Sequence, residues 1–79
     1  MQWRDYIDSD STVLGGKPRI VGTRIGVVFL LDRFAAGWTT EQVLESFPHL
    51  TPEALQAVFA FAAEMTEEVR VTPLHRDAA

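Results

Sequence analysis

Gly15-Gly16-Lys17-Pro18-Arg19-Ile20-Val21-Gly22-Thr23-Arg24-Ile25-Gly26-Val27 is the stretch from which the fold is read. Gly15 and Gly16 lack a Cβ and permit positive φ, and Pro18 fixes an extended entry into Arg19-Ile20-Val21. Gly22-Thr23 reads as a turn whose flanks, Ile20 and Ile25, both face inward, so Lys17 to Ile25 make a tight arm or irregular hairpin. Upstream, Trp3 to Ile7 alternates loosely and is rich in strand-favouring residues, and Asp8 to Ser11 breaks it with turn formers. A short strand and a turn are expected there.

Downstream of the arm the spacing predicts three helices. Helix one runs from Gly26 or Val27 to Ala36, with Gly37 just past its end as a left-handed cap. Val27, Leu30, Leu31 and Phe34 form its apolar stripe, and Val28, Phe29 and Ala35 widen the stripe until Asp32, Arg33 and Ala36 remain for water. A helix apolar so far round is covered on more than one side. Either it is the central core helix, or Val28 and Phe29 meet a dimer partner.

Thr39 followed by Gln42 fits a capping box before Val43, Leu44 and Phe47, so a short second helix starts there and ends before Pro48. Thr51 is a good N-cap, Pro52 suits the first helical position, and Glu53 complements the positive end of the helix dipole. Helix three then carries Leu55, Val58, Phe59, Ala62 and Met65 at spacings of three and four, with Phe61 off the main stripe, and persists to Glu67 or Glu68. Val69 to Thr72 reads as an extended stretch ahead of Pro73. Leu74 to Ala79 form a tail that is mobile or ordered by a partner covering Val69, Val71 and Leu74. The expected fold is mainly α with a small β part, a β-hairpin arm followed by a three-helix, helix-turn-helix-like bundle in a single domain over 1–79.

A chain of 79 residues holds one marginal core, and with no cysteine it has neither disulfides nor thiolate metal sites to reinforce it. Association is the remaining common remedy, and a homo-oligomer, a dimer, is expected. The apolar content of 47% belongs to a folding chain. No uncharged apolar run is long enough for a membrane span, and Arg4 and Asp5 stand where a signal-peptide core would lie, so a cytoplasmic location is expected.

The net charge of −4 is unevenly placed. Residues 1–38 hold five basic and four acidic side chains, and residues 39–79 hold two basic and seven acidic. The acidic half repels phosphate backbones, so nucleic acid would have to meet the arm through Lys17, Arg19 and Arg24. Those three side chains suit an anion such as phosphate, an acidic patch on a protein, or an internal ion pair from Arg24 to Asp32 or to a helix end.

The second and third helices with their short link form a helix-turn-helix candidate, but a DNA-reading helix needs Arg, Lys, Asn or Gln toward the bases. Helix three offers Gln56 beside Glu53, Glu64, Glu67 and Glu68. A major-groove role is disfavoured. His49 and His75 have no further ligand near them in sequence, Gly15-Gly16-Lys17 lacks the spacing of a phosphate-binding loop, and Asp5, Asp8 and Asp10 read as turn formers. No catalytic, cofactor or metal residue is assigned, and the chain reads as a binding protein and not an enzyme.

The arm Gly15 to Ile25, then Gly37, then Phe47-Pro48-His49-Leu50-Thr51, resembles the family called domain of unknown function 433, over about Ile7 to Glu64. The resemblance implies a homeodomain-like helical core preceded by β structure. Many members are regarded as antitoxins of the VapB kind in toxin-antitoxin pairs, which implies a PIN-like ribonuclease as partner. Phe47 stands where the family commonly has Tyr and Gly26 where it often has Pro, and a tail that wraps fully round a nuclease is not expected. The expectation is an antitoxin-like protein-binding module in which helix three with Phe61, Val69, Val71 and Leu74 presents the partner surface. The alternative is a DNA-binding autoregulator that sets the basic arm against operator phosphates.

Overall fold

A computed structural model describes residues 1–67. Two antiparallel two-residue strands, β1 (Ile7–Asp8) and β2 (Arg19–Ile20), precede helices α1 (Val27–Ala35), α2 (Thr40–Ser46) and α3 (Pro52–Glu67). The chain is thus mainly helical with a small β part. Ile7 pairs with Ile20 and Asp8 with Arg19.

The arm folds back once more beyond β2. Thr23 N donates to Ile20 O, closing a turn in which Gly22 takes φ +77°, a value that glycine adopts without steric cost. The Thr23 hydroxyl donates to Ile20 O at 2.8 Å and accepts from Ile25 N at 3.0 Å, clamping both sides of the turn. Ile20 N then reaches Ile25 O, and Val27 N reaches Pro18 O. The segment entering α1 therefore lies against β2 on the edge opposite β1, and Arg19 bridges Gly26.

The helix boundaries follow their signals. Gly37, at φ +95°, lets its own amide reach Phe34 O and the Trp38 amide reach Arg33 O, the paired bonds of a Schellman stop. Thr39 and Gln42 form the reciprocal capping box, and the Thr51 hydroxyl accepts from Ala54 N. Between α2 and α3, Leu50 is buried and Phe47 half-buried, so the link is packed as part of the core.

The core joins Ile7 and Ile20 of the sheet to Val27 and Leu30 of α1, Val43 of α2, Leu50, and Ala54, Leu55, Ala57 and Val58 of α3. Three expectations are corrected here. Trp3–Asp5 is a 3₁₀ turn and not a strand, and only Ile7–Asp8 pairs. The buried face of α3 lies on Ala54, Leu55, Ala57 and Val58, which leaves Phe59 and Met65 exposed, while Phe61 turns to Trp3 at 4.9 Å edge-to-face. On α1, Val28 and Phe29 are exposed, and Arg33, expected in water, is half-buried. The 3₁₀ turn docks on α3 and draws its apolar face round toward Phe61, and separately α1 is covered on one side only.

Among the described residues no helix is long and apolar enough to cross a membrane. Val69, Val71 and Leu74 lie outside the described residues.

Candidate functional site

Two surfaces emerge from this packing. The first lies where the arm meets α1. Because Val27 N is held by Pro18 O, the segment bearing Lys17 and the loop bearing Arg24 are brought beside the amino end of α1. Lys17, Arg24, Val28, Phe29 and Asp32, with Leu14 and Pro18, line one open groove of about 520 Å³. Its floor is apolar, and its rim carries both signs of charge. Among the described residues neither Lys17, Arg24 nor Asp32 has an ion-pair partner, so the internal Arg24–Asp32 pair weighed from the sequence is not formed.

Phe29 is fixed from behind. Its ring stands edge-on to Phe47 at 5.5 Å, and the Arg33 guanidinium lies 4.8 Å from its centroid. Arg33 also faces Trp38 at 5.6 Å, and its Nε is buried without a hydrogen-bond partner.

Arg19, grouped with Lys17 and Arg24 as an anion contact, differs from them in its surroundings. Its side chain is only 14% exposed. Nε donates to Asp8 Oδ1 at 2.9 Å, a terminal nitrogen donates to Thr23 O at 3.1 Å, and Asp10 stands 3.8 Å away. The antiparallel register places Arg19 directly across from Asp8, so its charge is spent within the arm. The hydrogen bond from Arg19 to Asp8 raises the guanidinium's pKa further above its already high value, which has no consequence near neutrality.

Asp10 is held below the ordinary carboxylate range by the Thr12 hydroxyl, then by the Thr12 amide, both donating to Oδ1, with a smaller contribution from Arg19. A depressed carboxylate contributes stability that is present above its unfolded pKa and is lost as pH falls through its folded one. We therefore expect the melting temperature to fall as pH drops below about 4, and Asp10→Asn, which keeps the acceptor but not the charge, to flatten part of that acid limb. Thermal melts across an acid series check this. An acid limb identical in the two proteins would remove Asp10 from the account.

The second surface is the outer face of α2 and α3. Glu41, Leu44, Gln56 and Phe59 line a groove of about 350 Å³ between the two helices. Glu45 and Glu53 are also exposed on these helices, and neither helix carries a Lys or Arg. In a helix-turn-helix arrangement this is the face that would approach DNA, and here it is anionic.

A third concavity, about 590 Å³, is lined by Val21, Gly22, Thr23, Arg24, Ile25 and His49. Arg24 borders it as well as the first groove, whereas of these two concavities Asp32 lines only the first and His49 only the third. Among the described residues no three His, Asp or Glu side chains cluster as metal ligands.

Comparison with known proteins follows the same boundaries. Residues 7–62 match the family model described as a protein of unknown function, DUF433. An uncharacterized protein of Sinorhizobium fredii, y4eO, is 34% identical over 59 residues, which is 75% of this chain and 27% of the relative. The crystal structure of a DUF433 member from Anabaena variabilis superposes with a TM-score of 0.76 at 31% identity, over 82% of this chain and 64% of that one. The chain thus spans about a quarter of its curated relative and under two thirds of the solved one.

Proposed function

Because the chain belongs to the DUF433 family, we propose that it is a protein-binding module of the antitoxin type, which acts in the cytoplasm by holding a PIN-like ribonuclease against the outer face of α2 and α3. One observation carries the reading: the helices that border the groove lined by half-buried Leu44 and exposed Phe59 carry Glu41, Glu45 and Glu53 exposed, without a cation on either helix. A ribonuclease needs positive surface to attract RNA, and an anionic face with an apolar centre complements such a surface while competing with the phosphate backbone.

The test is coexpression with a ribonuclease encoded beside the gene, followed by copurification and an RNA-cleavage assay. The wild-type protein is expected to bind and to suppress cleavage. Glu53→Lys and Phe59→Ala, both at exposed positions, are expected to weaken binding by about tenfold or more each, with Glu53→Lys acting mainly on association rate. Absence of both binding and inhibition refutes the proposal.

A second reading rests on Lys17 and Arg24, the exposed cations of the arm, which stand beside the amino end of α1 where phosphate is electrostatically favoured. It makes the protein an autoregulator that grips operator DNA. Two phosphate contacts give a slope of roughly −2 in log affinity against log salt, and affinity unchanged by salt rejects it.

A further inference from the structure

We propose that α1 is the seam of a homodimer, in which two copies pack their Val28 and Phe29 faces antiparallel about a two-fold axis. Asp32 of each copy then meets Arg24 and Lys17 of the other. The inference is independent of the antitoxin reading, and it competes with the operator reading for Lys17 and Arg24.

The apolar part of the argument is exposure without dispersal. Val28 is 61% and Phe29 40% exposed, adjacent on one helix and continuous with Leu14 and Pro18 in a single groove. The Phe29 ring needs no rearrangement to be buried, since Phe47 and Arg33 already fix it from the protein side. Rigid aromatic anchors of this sort lose little conformational freedom when an interface closes.

The choice of a second copy rests on charge. The rim of the groove holds Lys17 and Arg24 on the amino-terminal side of Val28, and Asp32 one turn beyond it, about 6 Å along the axis. A uniformly acidic partner would leave Asp32 opposed by like charge, and a uniformly basic one would do the same to Lys17 and Arg24. A copy of the same face turned end for end satisfies both. Reversal about a point between residues 28 and 29 sets Asp32 opposite position 25, next to Arg24, and a two-fold axis makes the pairing reciprocal. The same reversal brings Asp32 to the positive end of the partner's α1 dipole. Arg24 and Asp32 share the groove but do not pair with each other, and neither has an ion-pair partner among the described residues. A cysteine-free chain of 79 residues also gains from a second subunit the apolar burial its own core lacks.

Sedimentation equilibrium at concentrations up to the order of 100 µM tests the proposal. The wild-type chain is expected at twice its 8.8 kDa mass. Val28→Glu, at a position exposed in the subunit, is expected to sediment as a monomer with an unchanged circular dichroism spectrum. Asp32→Arg is expected to raise the dissociation constant about tenfold or more, because symmetry applies the change twice, and Asp32→Arg with Arg24→Asp is expected to recover it to within about threefold of wild type. The double variant separates pairing from folding, since a merely structural effect of either residue would not be restored by the other. A monomeric wild-type protein, a dimeric Val28→Glu variant, or a charge reversal that fails to recover would each overturn the proposal.

Discussion

Leu30→Ala is expected to leave about half or more of the protein unfolded at 37 °C. Leu30 is fully buried at the middle of α1 and belongs to the one cluster that joins the sheet residues Ile7 and Ile20 to Val43 of α2 and to Leu55 and Val58 of α3. Removing its isobutyl group forfeits the transfer free energy and leaves a cavity that three helices and the arm are too constrained to fill, a loss of about 2–5 kcal/mol. A domain of this size holds roughly 3–5 kcal/mol in all, so the folded and unfolded forms become comparable in population. The melting temperature is expected to fall by about 10 °C or more. Val28→Ala on the same helix, at an exposed position, provides the control, with less than about 0.5 kcal/mol expected in the monomer. Equal shifts in the two variants, read by thermal melts at a concentration where the protein is monomeric, would contradict the placement of the core.

That contrast between neighbouring residues marks how far the sequence carries. The carboxyl end of α1 and the amino ends of α2 and α3 were legible because each is set by local chemistry: Gly37 supplies the positive φ of the stop, Thr39 and Gln42 cap each other, and Thr51 caps α3 ahead of Pro52. Which side of α1 is covered was not legible, since Val27 through Leu31 are all apolar and only the neighbours decide. The arm was legible as a turn at Gly22-Thr23, but its partner strand was not. Two-residue strands leave no periodicity to read, and the β1–β2 register is fixed by the distant pair Ile7 and Ile20.

The candidate sites divide in the same way. Lys17, Arg19 and Arg24 look alike along the chain, and only the register reveals that Arg19 faces Asp8 and is consumed by it. An Asp and an Arg at matched distances from a paired Ile was the available signal. The convergence of Lys17 and Arg24 with Val28, Phe29 and Asp32 depends on the bond from Val27 N to Pro18 O, a tertiary contact with no sequence marker. The anionic character of α2 and α3 needed no structure, because every charged residue on them is acidic.

Trp3→Ala is expected to give the second large loss, about 2–3 kcal/mol, smaller than full burial of an indole would give because the side chain is half-buried. Trp3 is the means by which the 3₁₀ turn Trp3–Asp5 docks on α3, its ring edge-to-face with Phe61 at 4.9 Å. One other contact spans the same junction, the ion pair from Arg4 to Glu64 at 3.2 Å, while within the turn the Arg4 guanidinium lies 4.2 Å from the Trp3 centroid. The Arg4 side chain is mostly in water, so the ion pair is worth less than about 0.5 kcal/mol, and Arg4→Ala is expected to shift the melting temperature only slightly. The indole Nε1 is buried without a hydrogen-bond partner among the described residues, which is a cost the native residue bears. Trp3→Phe removes that cost while keeping an aromatic edge toward Phe61, so it is expected to fall well short of the loss in Trp3→Ala. The ordering distinguishes the forces at the junction. If Arg4→Ala matched Trp3→Ala, the turn would be held by charge, whereas a large loss in Trp3→Ala with a small one in Trp3→Phe places the attachment in aromatic packing on Phe61, the residue that helical spacing had set aside for a partner.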